Sequence, residues 1–389
     1  MRKKRILAFL FILIIMGNVI NIPIIKANSL EINAKSALLM EPTTGTILFE
    51  QNAHESLRPA SVTKIMTLLL IYEALEEGKI HWNDVITVSE RAAGMGGSQV
   101  FLSPEEEIDV ATLVKSIVVA SGNDASVAMA EHIAGSEETF VQLMNQKAKE
   151  LGMKNTHFVN SSGLDADGHM TTAYDVAIMS RELITRFPQI HEFSTIWHDN
   201  LVHQRKKGEE VTDLTNTNRL LKWYEGANGL KTGSTSKALY CLSGTAERNG
   251  LKLIAVVMAA PDHKTRFQEV MKMFDYGFAN YEMVEGDKKG TVVGRIPLIK
   301  GMEEEVEVIL EKEMNFLLKK GAQSKKENME YHVETPPSIE APVKAGDVAG
   351  EIIYKIEEKE IGRSPLLIKK DVQKANFSYM IHQLLDYWL

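Results

Sequence analysis

Three short stretches constrain this chain of 389 residues more than any other feature: Ser61-Val62-Thr63-Lys64, Ser121-Gly122-Asn123 and Lys231-Thr232-Gly233. They follow one another in that order, well separated along the chain. Each supplies a part that serine acyl transfer needs. On a helix, residues three apart return nearly to the same face, so Lys64 can stand beside Ser61. A serine hydroxyl is a poor nucleophile until a base takes its proton. Lys64 can be that base only as a neutral amine, which requires a lowered pKa. Burial and a second cation both push that way, and Lys231 is the candidate cation.

The other two stretches complete the chemistry. The Ser121 hydroxyl can relay a proton between Lys64 and a leaving amine, and Asn123 can offer its amide to a peptide carbonyl. Gly233 leaves the strand backbone open to close approach by a substrate. The N–H groups of Ser61 and Ser234 can hold a developing oxyanion, where one donor is typically worth about 3 to 4 kcal/mol. Lys231, Thr232 and Thr235 can bind a carboxylate. Alone, each stretch has a bland reading. Ser-x-x-Lys is commonly solvated helix surface, Ser121-Gly122-Asn123 a turn with Asn123 capping the next helix, and Lys-Thr-Gly a β-turn. The ordered trio, each on its expected element type, argues against coincidence.

Periodicity places these elements. Ala37 to Glu50 reads as a hairpin turning at Thr43-Thr44-Gly45. A helix starts near Ser61, after Pro59, with one apolar face formed by Ile65, Leu68, Leu69, Tyr72 and Leu75. Further helices fit Val110 to Ala120, Ala125 to Ala134, Glu137 to Leu151 and Thr172 to Arg186, the last limited by Pro188. Gly229 to Gly233, Ala238 to Ala246 and Leu251 to Ala259 read as strands, and His263 to Asn280 as a closing helix. Leu253 to Met258 is apolar throughout, as in a strand covered on both faces. Strands at both ends with helices between them imply an α/β (α+β) fold whose sheet is assembled from distant segments. From about Glu285, period-two alternation and scattered Pro and Gly indicate a small all-β domain ending near Val372.

The ends of the chain speak to location. Arg2-Lys3-Lys4-Arg5, the apolar run Ile6 to Met16 and Ala27 form an export signal over residues 1–27, with an uncleaved anchor as the alternative. Removing its five basic residues takes the net charge from −8 to −8 − 5 = −13, which argues against nucleic acid as a partner. Over Lys374 to Leu389, Phe377, Met380, Ile381, Leu384, Leu385 and Trp388 share one helical face. At about 1.5 Å per residue the segment is too short to span a bilayer but suits lying in the headgroup plane; docking on its own β domain is the alternative. Cys241, the only cysteine, sits in an apolar strand and reads as a buried small hydrophobe. No zinc-protease helix or phosphate-binding loop is present, and no metal or organic cofactor is expected.

The trio is the signature shared by penicillin-binding proteins and class A β-lactamases. From about Ala37 onward the chain resembles the D-alanyl-D-alanine carboxypeptidases among the low-molecular-mass penicillin-binding proteins. Arg58-Pro59-Ala60, Gly163-Leu164-Asp165 with His169, Asn216-Thr217-Asn218 and Gly229-Leu230 add to the likeness. The resemblance implies a β-lactamase-like domain over residues 28–282, with an antiparallel sheet and helices on both faces. It also implies a β-rich domain over 283–372 and a terminal amphipathic helix over 373–389 that binds the membrane surface. It implies stem peptides ending in D-Ala-D-Ala as substrates, β-lactams as acylating mimics, and a place at the outer face of the cytoplasmic membrane. Arg266, downstream of Lys231, matches a carboxylate-binding arginine of that family. Asn228 and Met170 depart from the pattern, where an aspartate and a tyrosine are usual. Two rivals remain. A class A β-lactamase wants a glutamate-bearing deacylation loop, for which Glu182, inside an expected helix, is the nearest candidate. A non-catalytic penicillin-responsive receptor would bind wall peptides without turning them over.

Overall fold

Two apolar strand sequences, Ser36–Glu41 and Leu251–Ala260, are buried on both faces, and this makes the central sheet a two-sided platform. The computed structural model describes residues 30–205, 208–321, 328–379, 381 and 385. Strands β1 (Ser36–Glu41), β2 (Thr46–Gln51), β3 (Ala227–Thr235), β4 (Leu239–Arg248) and β5 (Leu251–Ala260) form one sheet in the order β2-β1-β5-β4-β3. Every neighbouring pair is antiparallel. The sheet therefore joins the start of the domain to its end, as the pairing of Met40 with Ile254 shows. Helices α1 (Lys64–Glu76), α2 (Val110–Val119), α3 (Asn123–Ala134), α4 (Glu137–Glu150) and α5 (Ala173–Arg186) fill the chain between β2 and β3, and α6 (His263–Asn280) follows β5.

Alternation along the strands decides which helix covers which face. Leu38, Met40, Ile254, Val256 and Met258 point into the large core that contains Val176, Met179 and Leu183 of α5. Leu39 and Leu253 point the other way, toward Gly277 of α6. A Cβ there would lie 2.6 Å from Leu253 Cδ1, so glycine sets how closely α6 lies on the sheet. Local signals fix the helix ends as the sequence suggests. The Thr172 hydroxyl accepts from Asp175 N at the start of α5, and Asp262 caps α6 by accepting from Lys264 N and Thr265 N. Helix α5 ends at Arg186, just before Phe187-Pro188.

One expectation fails at α1. The sequence suggests a single apolar face, but Lys64 to Ala74 are all buried. Helices α3, α4 and α5 pack around α1, so it is the central rod of the helical layer and is enclosed all round. Periodicity along one helix reports a single apolar face, whereas three helices meet this one. Tyr72 marks the far end, its ring 5.5 Å from Phe187 and 5.6 Å from Trp82.

After α6 the chain enters β structure at once. Tyr281–Glu285 pairs with Asn315–Lys319, slightly ahead of the change of texture near Glu285. Beyond it lies a six-stranded sheet in which Val348–Ile356 and Lys359–Ile368 form the central hairpin, over its own core of Ile296, Val306, Val308, Phe316, Ile352 and Leu366. Residues Phe377–Tyr379 are helical, and the side chains of Phe377 and Leu385 are exposed. Most of the expected amphipathic helix, and the whole 1–27 segment, lie outside the described residues. Among the described residues no helix is long and apolar enough to cross a membrane.

Because α1 is enclosed by helices, its core side chains have little room to relax when truncated. Leu69, fully buried, should cost about 2–5 kcal/mol on change to alanine, read as a lowered urea midpoint. A loss below about 1 kcal/mol would place α1 at the surface instead.

Candidate active site

Ser61 lies in a tight 3-10 turn, Ala60–Thr63, and Lys64 is the first residue of α1. Residues three apart eclipse one another in such a turn, and Lys64 Nζ stands 3.1 Å from Ser61 Oγ. The turn is held from both sides by glycines. A Cβ on Gly163 (φ +88°) would fall 1.9 Å from the Ala60 carbonyl oxygen, so only glycine allows the 160–163 loop to back the turn. A Cβ on Gly233 of β3 would lie 2.9 Å from Ser61 N. The sequence suggests that Gly233 clears space for substrate; its missing side chain also clears space for the nucleophile's own backbone. His169 adds a third support. It accepts from Val159 N through Nδ1 (2.9 Å), so its Nε2–H is free to donate to Thr63 Oγ1 (2.8 Å).

Lys64 is fully buried and has three partners: Ser61 Oγ, Asn123 Oδ1 (2.6 Å) and the Ser162 carbonyl oxygen (2.6 Å). Two of these can only accept. A neutral amine has two N–H groups to give them, which leaves its lone pair facing the one partner able to donate, the Ser61 hydroxyl. Burial, and then the positive charge of Lys231, hold the Lys64 pKa well below the usual lysine range, while Asp124 pulls weakly the other way. Lys231 is itself buried and drawn down to about 7, by burial first and then by Arg266.

Ser121 has a left-handed backbone (φ +63°), unusual for serine. Its Oγ is buried with no hydrogen-bond partner among the described residues, although it lines the same cavity as Ser61. That cavity, of about 660 Å³, is also lined by Thr232, Gly233, Ser234 and Arg266. Arg266 donates through Nη1 to the carbonyl oxygens of Gly233 (3.0 Å) and Cys241 (3.3 Å). Thr232 and Thr217 share a hydroxyl contact of 2.6 Å.

Two residues are placed differently from expectation. Thr235 has a single O–H, which it donates to Asp165 Oδ1 (2.9 Å), so as placed it has no donor for a substrate carboxylate; it braces the end of β3. Asn123 gives its carbonyl to Lys64 and one N–H to the Gly96 carbonyl oxygen (2.6 Å), which leaves a single N–H for any substrate. Sequence reasoning missed Trp197, Arg219, Lys222, Trp223 and His263, which line the cavity beyond Thr217. Their only sequence signal is their closeness to Asn216-Thr217-Asn218 and to the start of α6. Asn228 accepts from the Thr245 hydroxyl (2.7 Å). Glu182 lies within α5, 3.7 Å from Arg186.

His169 supplies a pH test of the support shell. Burial lowers its pKa from 6.5 to about 4. Between those values the unfolded chain takes up a proton that the folded site refuses. The contribution of this residue is therefore fully present above about 6.5 and is lost as pH falls toward about 4. The urea midpoint should drop between neutral and mildly acid pH, and the drop should be smaller in His169→Gln; equal drops in both proteins would remove His169 from the account.

Known proteins resemble the chain over most of its length. Residues 24–262 match the peptidase S11 family, D-alanyl-D-alanine carboxypeptidase, and residues 281–374 match the penicillin-binding protein 5 C-terminal domain. The chain is 42% identical to D-alanyl-D-alanine carboxypeptidase DacF of Bacillus subtilis, over 93% of this chain and 92% of that protein. It is 35% identical to DacC of Escherichia coli, over 89% and 86%. Penicillin binding protein 5 from Haemophilus influenzae superposes with a TM-score of 0.77 at 32% identity, covering 88% of this chain and 98% of that one. Penicillin-binding protein D2 from Listeria monocytogenes, in its ampicillin-bound form, superposes with a TM-score of 0.57 at 32% identity over 64% and 99%. A buried lysine beside a serine at the foot of α1, walled by β3, is therefore found in a chain that belongs to the peptidase S11 family of D-alanyl-D-alanine carboxypeptidases.

Proposed function

We propose that this carboxypeptidase removes the terminal D-alanine of peptidoglycan stem peptides through an acyl-enzyme on Ser61. The observation that carries the assignment is the partner set of Lys64, two obligate acceptors and one hydroxyl. The substrate carboxylate meets Thr232 and Arg266, with Lys231 adding positive charge from behind the strand. Neutral Lys64 takes the Ser61 proton as Oγ attacks the penultimate carbonyl. The Ser61 and Ser234 amides hold the oxyanion, since charge developing there is worth most to fixed dipoles. Ser121, whose hydroxyl lacks a protein partner among the described residues, passes the proton to the departing D-alanine. Water then hydrolyses the ester. Asn123 acts mainly by holding Lys64, with its second N–H available to the peptide. A β-lactam, like the ampicillin bound by the Listeria relative, presents a similar carboxylate and acyl carbon and acylates Ser61. A β-lactamase reading fares worse, because Glu182 is held in α5 rather than on a loop beside Ser61.

We assign residues 1–27 to export, 28–282 to the peptidase domain, 283–372 to the β domain and 373–389 to an amphipathic helix lying in the membrane surface. The enzyme then works at the outer face of the cytoplasmic membrane. The last assignment is supported by the shared apolar face and by the exposure of Phe377 and Leu385.

Incubation of purified protein with a peptide ending in D-Ala-D-Ala should release D-alanine, and penicillin should leave a mass adduct on the Ser61 peptide. Ser61→Ala should abolish both; activity that survives it would refute the scheme. Lys64→Arg cannot lose its proton near neutrality and should lose about 10²–10⁴-fold in acylation rate, the range for a general base. The exported form should begin at Asn28, and a chain ending at Val372 should no longer pellet with phospholipid vesicles. Retention on vesicles without the tail would move the anchor elsewhere.

A further inference from the structure

The cavity does not stop at the residues that the reaction uses. The Thr217–Thr232 contact carries it past the carboxylate site to Trp197, Arg219, Lys222, Trp223 and His263. Two cations there are held by aromatic faces. The Arg219 guanidinium lies 5.5 Å from the Trp223 ring centre, and Lys222 Nζ lies 5.2 Å from that of Trp197. Among the described residues no ion pair joins either to a carboxylate, and no Asp or Glu lines the cavity. The rings orient the cations without neutralising them. Arg266 stands at the near end, its Nε buried with no partner among the described residues. This concentration of positive charge sits in a chain of net charge −8, so a focused local field, not a general basic character, distinguishes it.

A D-alanine leaving group has nothing to place there, since its one carboxylate is already held at Thr232 and Arg266 and its side chain is a methyl. We propose that Arg219 and Lys222, between Trp197 and Trp223, form a second anionic subsite that takes a carboxylate carried by the leaving group itself. The substrate class is a stem peptide whose final amide is made to an amine bearing a further negative charge. That amine belongs either to a single acidic D-residue or to the neighbouring stem of a cross-link. The reaction is the one already assigned: the Ser61 Oγ–carbonyl bond forms, the C–N bond breaks, the amine leaves with the proton, and water hydrolyses the ester. The inference rests on the proposed placement of the carboxylate at Thr232 and Arg266.

The test compares kcat/KM for three N-acyl peptides ending in D-Ala-D-Ala, D-Ala-D-Gln and D-Ala-D-Glu, together with a cross-linked stem dimer, in wild type, Arg219→Gln and Arg219→Gln/Lys222→Gln. Wild type should prefer D-Glu to its neutral isostere D-Gln, and the preference should weaken with added salt. The double variant should lower the D-Glu to D-Gln ratio by about tenfold, with the single variant between. A matching loss on the dimer extends the subsite to a neighbouring stem, and loss on D-Glu alone confines it to single acidic residues; both support it. An unchanged ratio, or equal losses on all substrates, would overturn it. Failure of wild type to release D-alanine from the D-Ala-D-Ala peptide would instead strike the mechanism above.

Discussion

The structure turns on a lysine that is buried without a counter-ion of its own. Moving an ammonium out of water is expensive, and the folded site answers by lowering the Lys64 pKa. The carboxylate that pulls the other way, Asp124, is occupied elsewhere. Its oxygens accept from the backbone N–H groups of Val100 and Leu102, so it ties the segment ahead of α2 to the start of α3 instead of pairing with Lys64. Lys231 then adds positive charge from the sheet side, and Arg266 in turn acts on Lys231. Four parts of the chain far apart in sequence thus act on one amine: α1 carries it, Asn123 at the start of α3 and the 160–163 loop orient it, and Lys231 of β3 sets a positive charge against it. None of them produces the effect alone.

Much of this was legible in the sequence because the motifs carry their own geometry. Ser-x-x-Lys implies adjacency on any helical turn, and the unbroken apolar run Leu253 to Met258 in β5 implies a strand covered on both faces. Helix ends at Thr172, Pro188 and Asp262 follow from local capping and steric rules that need no tertiary context. What could not be read were properties that depend on a partner. The encirclement of α1, the commitment of the Thr235 hydroxyl to Asp165, and the double use of the Asn123 amide each need a second segment, distant in the chain, to be seen. Gly233 illustrates the difference well. Its need for glycine is visible in the sequence, but the group it must clear, Ser61 N, belongs to a segment at the other end of the domain.

The missed wall of the cavity shows a different limit. Trp197, Arg219, Lys222, Trp223 and His263 come from a short connection before the paired strands His198–Arg205 and Gly208–Thr215, the short helix Leu220–Trp223 with Arg219 just ahead of it, and the first residue of α6. None forms a pattern in the sequence. They are neighbours because Thr217 is drawn to Thr232 and because Asp262 starts α6 where the His263 side chain faces the same groove. Arg266 bridges the two regions: it holds the β3 and β4 backbones through Gly233 and Cys241 while presenting its remaining donors to the cavity.

That bridge explains why catalysis and leaving-group recognition sit at one edge of the sheet. The edge strand β3 has an unpaired side, and a free strand edge must be covered or used. Here one stretch of it is covered by the Ser61 turn, held at Gly233 by close backbone contact, and the stretch beside it faces the cavity. Any group bound along the open stretch is placed relative to Ser61 by the same rigid sheet that carries Lys231, the cation acting on Lys64. Positioning and activation therefore share one structural cause, and a substitution that shifts β3 by a fraction of an ångström is bound to disturb both together.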